Sequence, residues 1–254
     1  MINSREDFVF PVKVPYSTAP DIVKLIDEFN LTSISNEVLA FKLEELNKFQ
    51  DDLAKEISSD ELSHSLKIIC EKFNLPDAKT IKDLAKYIQD DIAILSLGKV
   101  IAICFCAPSG FIPSKVVGKS FFEIHQPIPD SELLLKMSDK LSSMLSDISR
   151  GPYRRYIWTI TANPSMSQHP SMKDKFHPKS IFDLHFRSET QTTVPLGDDV
   201  HMLFSVKVEM TPLKDIWMDT VKKNTILESI DTMSESMLEY KNLRTIKSIL
   251  KQDL

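Results

Sequence analysis

Residues 92–107 read Ile-Ala-Ile-Leu-Ser-Leu-Gly-Lys-Val-Ile-Ala-Ile-Cys-Phe-Cys-Ala. Two runs of almost continuous apolar residues, 92–97 and 100–107, flank the two-residue turn Gly98-Lys99. This pattern predicts a β-hairpin. Since neither run alternates polar with apolar residues, both strands are expected to be covered on both faces and to lie in the middle of the structure.

Three amphipathic helices are predicted before the hairpin. Residues 36–57 carry leucine or isoleucine at steps of three, four or seven with charged residues between them, which is the period of a helix with one buried side. A second helix follows to residue 73, with the capping-box spacing Ser58-x-x-Glu61 at its start. Thr80 is positioned to cap a third, shorter helix. The first third of the chain is therefore expected to be helical.

Another helix and three more strands are predicted after the hairpin. Residues 127–150 carry an apolar stripe and end at Gly151-Pro152, which is typical of one amphipathic helix. The strands are predicted at 154–161, 181–194 and 201–210. A polar, proline-containing surface loop is predicted at 162–179, and helices are predicted after Pro212.

The order of helices, then strands, then helices predicts one α+β domain with an antiparallel sheet. A doubly wound parallel sheet needs strands and helices in alternation, so it is disfavoured. The expected parts are helical at 1–88, a sheet core at 89–210 and C-terminal helices at 211–254. The chain has five glycines and no Pro/Gly/Ser-rich linker, so nothing divides it into separate domains.

Composition excludes several classes of function. The net charge of −5 comes from 31 basic and 36 acidic residues spread along the chain, so nucleic-acid binding is not expected. The longest apolar run, 100–107, is far shorter than the roughly 20 residues of a membrane-spanning helix, and residues 1–7 lack the apolar core of a signal peptide. A cytoplasmic protein is expected. Cys70, Cys104 and Cys106 are too few for an iron–sulfur cluster, and Cys104 and Cys106 are interpreted as small buried hydrophobes.

One of the six histidines has an unusual setting. The histidines lie at positions 64, 125, 169, 177, 185 and 201, and none has a zinc-site spacing. His64, His169 and His177 are interpreted as solvated, and His185 and His201 as hydrogen-bonded strand residues. His125 follows two phenylalanines and precedes two prolines. A stiff segment that presents one imidazole beside apolar surface suits a single axial iron ligand, although a turn histidine bonded to the backbone remains the alternative.

A second group of polar residues lies in the strand predicted at 181–194. Residues 182, 184 and 186 are apolar and alternate with polar ones. The same period of two places His185, Arg187, Glu189 and Gln191 on one face. On an exposed face this row is an ordinary solvated strand. If it faces a pocket, Arg187 can bind an anion, and Glu189 can hold an ammonium group or handle protons.

Seven short motifs, in order, resemble those of the α subunits of heme-dependent oxidative N-demethylase (dimethylamine monooxygenase). They are Gln89-Asp90-Asp91, Ala107-Pro108-Ser109, Gly118-Lys119, Glu123-Ile124-His125-Gln126-Pro127-Ile128-Pro129, Arg155-Tyr156-Ile157-Trp158-Thr159, Arg187-Ser188-Glu189-Thr190-Gln191-Thr192 and Tyr240-Lys241-Asn242-Leu243. The resemblance spans roughly residues 30–254. The chain differs from the family pattern at Gly110, Ile157, Thr190 and Asn242.

The resemblance implies a PAS-like fold that binds heme b, with His125 as the axial iron ligand. Arg187 is then expected to secure a heme propionate or to polarise bound O2, and Glu189 to orient an amine or relay protons. Gln191 and Trp158 are expected beside the cofactor, with a buried core position as the alternative for Trp158. Lys241 is expected to contact a propionate, or else to be an ordinary surface lysine.

The resemblance also implies an activity. O2 is used to oxidise an N-methyl group of a small amine such as dimethylamine, and formaldehyde is released. Electrons are expected from NADPH through separate FMN and iron–sulfur subunits, which suits a chain without cluster-binding cysteines or a nucleotide-binding fingerprint. The alternatives are a non-catalytic sensor of heme or another small ligand, and a heme-free protein of the same fold.

Overall fold

The structure is a computed structural model that describes residues 9–173, 175–198 and 200–252. Residues 1–8, which include the segment expected to lack a signal peptide, lie outside the described residues, as do 253 and 254 of the predicted C-terminal helical part. Within the described ranges, no helix has both the length and the apolar character needed to cross a membrane.

The described strands form one seven-stranded antiparallel sheet. The strands are β1 (Val23–Lys24), β2 (Ala54–Glu56), β3 (Asp91–Ser96), β4 (Lys99–Cys104), β5 (Tyr153–Thr161), β6 (His185–Pro195) and β7 (His201–Pro212). Their order across the sheet is β1-β5-β6-β7-β3-β4-β2. The long strands β5, β6 and β7 pair in register over most of their length. The prediction of an α+β fold with an antiparallel sheet is confirmed.

Helices occupy the start of the chain, the connection between β4 and β5, and the C-terminal part. They are α1 (Asn36–Phe49), α2 (Asp60–Lys72), α3 (Ile81–Ala85), α4 (Phe121–His125), α5 (Glu132–Lys136), α6 (Ser138–Ser146), α7 (Leu213–Trp217), α8 (Thr220–Asp231), α9 (Glu235–Tyr240) and α10 (Arg244–Gln252). We call residues 105–152, which connect β4 to β5, the crossover segment.

The predicted hairpin is present as β3 and β4, with its turn one residue earlier than expected. Leu97 and Gly98 form the turn and both have positive φ, 46° and 74°. Two consecutive positive φ angles match the twist of the paired strands. β3 and β4 are almost entirely buried, so the prediction that both faces of the hairpin are covered is confirmed, although β7 and not the hairpin is the middle strand of the sheet.

The first predicted helix is too long. α1 ends at Phe49, Gln50 has a φ of 38°, and the chain continues through a 3₁₀ turn into β2. β2 pairs with β4, and Leu53 is fully buried. The backbone hydrogen bonds available at the edge of β4 therefore override the helical spacing of the sequence.

The start of α2 also differs from the prediction, whereas that of α3 agrees with it. Ser59, not Ser58, caps α2, with its side chain accepting from the backbone N–H of Leu62. Thr80 caps α3 as predicted.

The helix predicted at 127–150 is divided in two. α5 and α6 are separated at Met137, and a 3₁₀ turn at Ile148–Arg150 follows. Leu134 and Leu141 of the predicted apolar stripe are buried, whereas Met137 is 36% exposed. Because the helix is interrupted at Met137, α5 and α6 are separate, and each of them buries one leucine of the stripe.

The predicted strand at 181–194 begins later than expected. Residues Ile181–Asp183 form a 3₁₀ turn, and Phe182 is 70% exposed, so it does not share the buried face of Leu184 and Phe186. The two strands predicted at 154–161 and 201–210, the loop between β5 and β6, and the C-terminal helices are confirmed.

The two faces of the sheet are covered differently. On one face, α2 and α3 pack on β3 and β4, while α7–α10 pack on β5 and β6 around Trp158 and Phe186. On the other face, which we call the crossover face, residues of the crossover segment such as Phe111 and Ile124 pack against Ala93, Phe105 and Val206. Cys104 and Cys106 are both fully buried among apolar residues, as predicted.

Candidate functional site

The pairing of β5 with β6 places one row of polar side chains on the crossover face. Arg155 lies directly opposite Gln191, and Ile157 lies opposite Glu189. Residues paired across antiparallel strands point to the same face, so Arg187, Glu189, Gln191 and Arg155 share it. Together with Lys241 we call these residues the Glu189 cluster.

Glu189 is a buried carboxylate held from both sides. Arg187 Nη1 donates to one of its oxygens, and Gln191 Nε2 donates to the other at 2.6 Å. Burial alone raises the pKa of Glu189, but the charge and hydrogen bond of Arg187, together with the hydrogen bond of Gln191, outweigh it and the pKa is lowered. Glu189 is therefore ionised at neutral pH. Because Arg187 and Glu189 are both buried, the interpretation of this row as a solvated strand face is wrong.

Arg187 is bonded to protein acceptors through each of its three nitrogens. It is 2% exposed. Besides Nη1 on Glu189, its Nη2 donates to the carbonyl of Ala107 at 2.8 Å and its Nε to the carbonyl of Met166 at 3.4 Å. Ala107 is itself fixed, because its N–H donates to Asp91 at 2.8 Å. The Gln89-Asp90-Asp91 motif thus helps to hold the backbone on which Arg187 rests.

Arg155 is the unsatisfied member of the cluster. Its Nε is buried, and the described residues provide no hydrogen-bond partner for it. Burial lowers the pKa of Arg155, while the charges of Glu189 and Tyr16 raise it. A buried donor without a partner costs roughly 1–3 kcal/mol, and more when it is charged. The site therefore has an unused capacity to bind an acceptor group.

Lys241 reaches the cluster from the end of α9. Its ammonium group donates to the carbonyl of Trp158 at 2.8 Å and lies 5.5 Å from the centre of the Tyr16 ring. Burial lowers the pKa of Lys241 to about 8, while the charge of Glu189 opposes this decrease. Lys241 is half-buried rather than freely solvated, so the alternative of an ordinary surface lysine is wrong.

His125 lies on α4, in the crossover segment. Ser120 and Glu123 form a capping box that starts this helix. The imidazole stacks on the ring of Phe121, and its Nδ1 lies 2.7 Å from the carbonyl oxygen of Phe121. Since a carbonyl oxygen only accepts, Nδ1 carries the proton, and the neutral ring presents the lone pair of Nε2.

The electrostatic environment of His125 favours this neutral form. Burial, and to a lesser degree the charge of Arg155, lowers the pKa of His125 to about 4, although the hydrogen bond to Phe121 opposes the decrease. A neutral imidazole whose other nitrogen is fixed by a backbone carbonyl is the form that ligates a metal.

The ring of Trp158 does not face the cluster. It is 5% exposed and stacks on Phe186, at 5.8 Å between ring centres, among the residues packed against α7–α10. Its carbonyl, rather than its ring, holds Lys241 by a hydrogen bond, although Lys241 Nζ is also 5.9 Å from the ring centre. Trp158 is therefore a core residue whose ring lies on the face of the sheet opposite to the crossover face.

The remaining histidines lie elsewhere. His169 was expected to be solvated, but it is 4% exposed and stacks on Phe49. His177 is exposed, as expected. His201 is 6% exposed and bonded to Asp198 and Glu61. Among the described residues, no group of three or more His, Cys, Asp or Glu side chains is arranged to hold a metal ion.

Residues 41–251 match the family described as haem-dependent oxidative N-demethylase, alpha subunit-like. The match covers most of the 254 residues. The chain belongs to this family. No curated protein matches the chain. The resemblance inferred from seven short motifs is confirmed, and the family description implies dependence on heme.

The donor set of the site fits a heme. His125 provides one neutral imidazole nitrogen, which is the ligand type of many heme proteins. Arg155 and Lys241 supply positive charge suited to binding carboxylates. A cavity of about 30 Å³ between Phe41, Asp91 and Val208 has the size of a water site and not of a cofactor.

Two features of the site were missed from the sequence. Arg155 was quoted within a motif but was not assigned to the site, and the capping box of Ser120 and Glu123 was not recognised. The spacing Ser-x-x-Glu before His125 was the available signal for the helix. For Arg155, the signal required the register of β5 against β6, which the sequence does not contain.

Proposed function

We propose that this protein is a heme-dependent oxygenase subunit in which His125 ligates the iron of heme b. The observation that carries the proposal is the state of His125, whose imidazole is partly buried, neutral and fixed through Nδ1, so that Nε2 is presented. Membership of the family supports the choice of heme over another ligand. When bound, the heme supplies the O2-dependent oxidising chemistry.

The reaction that we propose is oxidative demethylation of a small methylated amine such as dimethylamine. Dimethylamine, O2, NADPH and one proton give methylamine, formaldehyde, NADP⁺ and water. The two electrons are proposed to come from NADPH through separate FMN and iron–sulfur subunits. The three cysteines are buried free thiols, which suits a reducing cytoplasmic location.

Glu189 and Arg187 are proposed to act on the amine. An ionised carboxylate has about four acceptor positions, and Arg187 and Gln191 use one on each oxygen, so acceptor positions remain for an ammonium group. Arg187 fixes the orientation of Glu189 and keeps it ionised. Gln191 restrains the other oxygen, and Lys241 contributes positive charge at the edge of β5.

We also propose that the central strands form a PAS-like sheet. The order supports this description, because the two hairpin strands β4 and β3 are followed by β7, β6 and β5, with the helical crossover segment between β4 and β5. The His125 site then lies where the crossover segment covers one face of that sheet.

The heme proposal is tested by absorption spectroscopy of the protein purified with and without added heme. Wild type is expected to give a Soret band, and His125→Ala is expected to change its position and to weaken binding. His177→Ala is the matched control, because His177 is exposed and its variant is expected to keep the wild-type spectrum. If wild type gives no Soret band after reconstitution, the proposal is wrong. An unchanged spectrum of His125→Ala refutes the ligand assignment alone.

The catalytic part is tested by formaldehyde release from dimethylamine with a surrogate reductase. Glu189→Gln is expected to lower turnover by at least about tenfold, because it removes the charge that orients the amine. The Soret band of this variant is expected to persist. A protein that binds heme and releases no formaldehyde from any methylated amine supports the sensor alternative instead.

A further inference from the structure

We infer that Asp91 is a positioning residue for the proposed reaction: its carboxylate fixes the main chain at Ala107 and so sets, through Arg187, the orientation of Glu189. Asp91 does not need to touch the amine for this role. The inference rests on the proposed function, because it takes Glu189 to orient the amine.

The carboxylate of Asp91 holds the main chain just after the end of β4. Its Oδ1 accepts from the N–H of Cys106 and its Oδ2 from the N–H of Ala107, both at 2.8 Å. β4 ends at Cys104, so these two residues lie where the chain leaves the sheet. An ionised carboxylate accepts on both oxygens, whereas the amide of an asparagine accepts on one atom only. No other uncharged side chain of the same size therefore holds both N–H groups.

Arg187 carries this restraint to Glu189. Its Nη2 donates to the carbonyl of Ala107 at 2.8 Å, and its Nη1 donates to Glu189 Oε1. The guanidinium group is planar and rigid, so fixing one of its terminal nitrogens also fixes the direction of the other. A shift of the Ala107 carbonyl therefore turns Arg187 and moves the bond that orients Glu189.

The second main-chain contact of Arg187 depends on the same stretch of chain. Its Nε donates to the carbonyl of Met166 at 3.4 Å, in the loop between β5 and β6. That loop is bound to the residues after Ala107, because the N–H of Gln168 donates to Pro108 O at 2.8 Å and the N–H of Gly110 donates to Gln168 O at 2.9 Å. Movement at Ala107 is thus expected to reach Arg187 from both sides.

Close packing does not by itself restrain these groups. Asp91, Ala107 and Met166 all line the cavity of about 30 Å³ described above. Atoms that border a cavity lack contacts on that side, so packing limits their position less than it does in a filled core. The hydrogen bonds of Asp91 therefore carry much of the restraint on Ala107.

The test measures how firmly Arg187 is held, by NMR of protein labelled with isotopes on arginine. The Arg187 signals are identified by their absence in Arg187→Lys. In Asp91→Asn, rotation of the Arg187 guanidinium group is expected to be roughly tenfold faster than in wild type, because its bond to Ala107 is weakened. A purely structural role of Asp91 lowers the free energy of unfolding but leaves this rotation rate in the folded protein unchanged.

Glu56→Gln is the matched control. Glu56 lies on β2 and, like Asp91, accepts from a main-chain N–H of another element, that of Ile81 at 2.7 Å. Its variant makes the same exchange of carboxylate for amide without a link to Arg187, and it is expected to keep the wild-type rotation rate. If Asp91→Asn does not fold, as judged by circular dichroism, Asp91→Glu is used. It displaces both oxygens by one methylene group and is expected to speed the rotation several-fold.

Formaldehyde release from dimethylamine tests the consequence for the reaction. Asp91→Asn is expected to lower kcat/KM roughly 10- to 100-fold, as misplacement of an orienting group does, while the Soret band stays in place. Glu56→Gln is expected to keep the wild-type kcat/KM.

The outcomes separate this inference from the proposed function. If wild type releases no formaldehyde, the proposed function is wrong, and the NMR comparison still decides whether Asp91 positions Arg187. A wild-type rotation rate in the Asp91 variant, or an equal increase in Glu56→Gln, overturns the inference. A wild-type kcat/KM in Asp91→Asn also overturns it and leaves the proposed function standing.

Discussion

Substitution of Lys42 by methionine tests how the N-terminal helices are fixed to the sheet. Lys42 lies on α1 and is 3% exposed. Its ammonium group donates to the carbonyl oxygens of Ala85 at 3.2 Å, Ile88 at 2.9 Å and Asp90 at 2.7 Å. One side chain thus satisfies the end of α3 and the start of the hairpin at the same time.

The expected loss of stability follows from these three bonds. Methionine has a similar shape but cannot donate, so three carbonyls lose a charged donor, at roughly 1–3 kcal/mol each. The variant no longer buries an ammonium group, which offsets several kcal/mol of that sum. We expect a net decrease of about 3 kcal/mol in the free energy of unfolding. With a urea slope of about 3 kcal/mol/M, the midpoint moves down by about 1 M.

The pH dependence gives a second readout. Burial raises the pKa of Asp91, and the charge of Lys42 opposes this increase. Without Lys42 the pKa of Asp91 rises further in the folded state. A folded-state pKa above the unfolded value favours folding at low pH, so the deficit of Lys42→Met is expected to be larger at pH 8 than at pH 5.

Urea unfolding followed by circular dichroism at pH 5 and pH 8 measures both effects. Lys67→Met on α2 is the control, because the Lys67 side chain is 73% exposed. A Lys42→Met deficit within about 1 kcal/mol of the Lys67→Met value, and equal at both pH values, refutes the reasoning.

Three further predictions concern the site and the hairpin. Heme affinity of wild type, measured by Soret titration, is expected to fall several-fold between pH 7 and pH 9, because Lys241, with a pKa of about 8, loses its charge. The affinity of Lys241→Arg is expected to change less over the same range, because arginine keeps its charge. Trp158→Phe is expected to leave the Soret band in place and to lower the free energy of unfolding by roughly 1–2 kcal/mol, since its ring lies in the core; a shifted band contradicts this placement. Gly98→Ala is expected to cost about 1 kcal/mol in urea unfolding because the φ of Gly98 is 74°, and an equally stable variant argues against that turn.

The hairpin and the C-terminal helices were predictable because the hydrophobic pattern of their sequences matches the way these elements are buried in the fold. The apolar runs on either side of Gly98 mark strands that are covered on both faces. β2 was not predictable in this way. Leu53 and Ile57 continue the spacing of α1, and only the presence of β4 beside Ala54–Glu56 makes a strand more favourable.

The candidate site was predictable in its residues but not in its burial. A period of two places Arg187, Glu189 and Gln191 together without any knowledge of the fold. Whether such a row is solvated depends on what covers it. Here the cover includes Ala107, whose carbonyl binds Arg187 from a position 80 residues earlier in the chain. No local pattern contains that contact.

The crossover segment contacts Arg187 directly and also carries His125. Its first residues include Ala107, whose carbonyl accepts a hydrogen bond from Arg187, and its helix α4 contains His125. The same stretch of chain therefore supplies a partner to Arg187, whereas the Nε of Arg155 has no partner among the described residues. Burial alone therefore does not indicate which of the two arginines has a donor without a partner among the described residues. The more deeply buried arginine has its partners within the protein, and the cation with a missing partner is the one to which a ligand can add a bond.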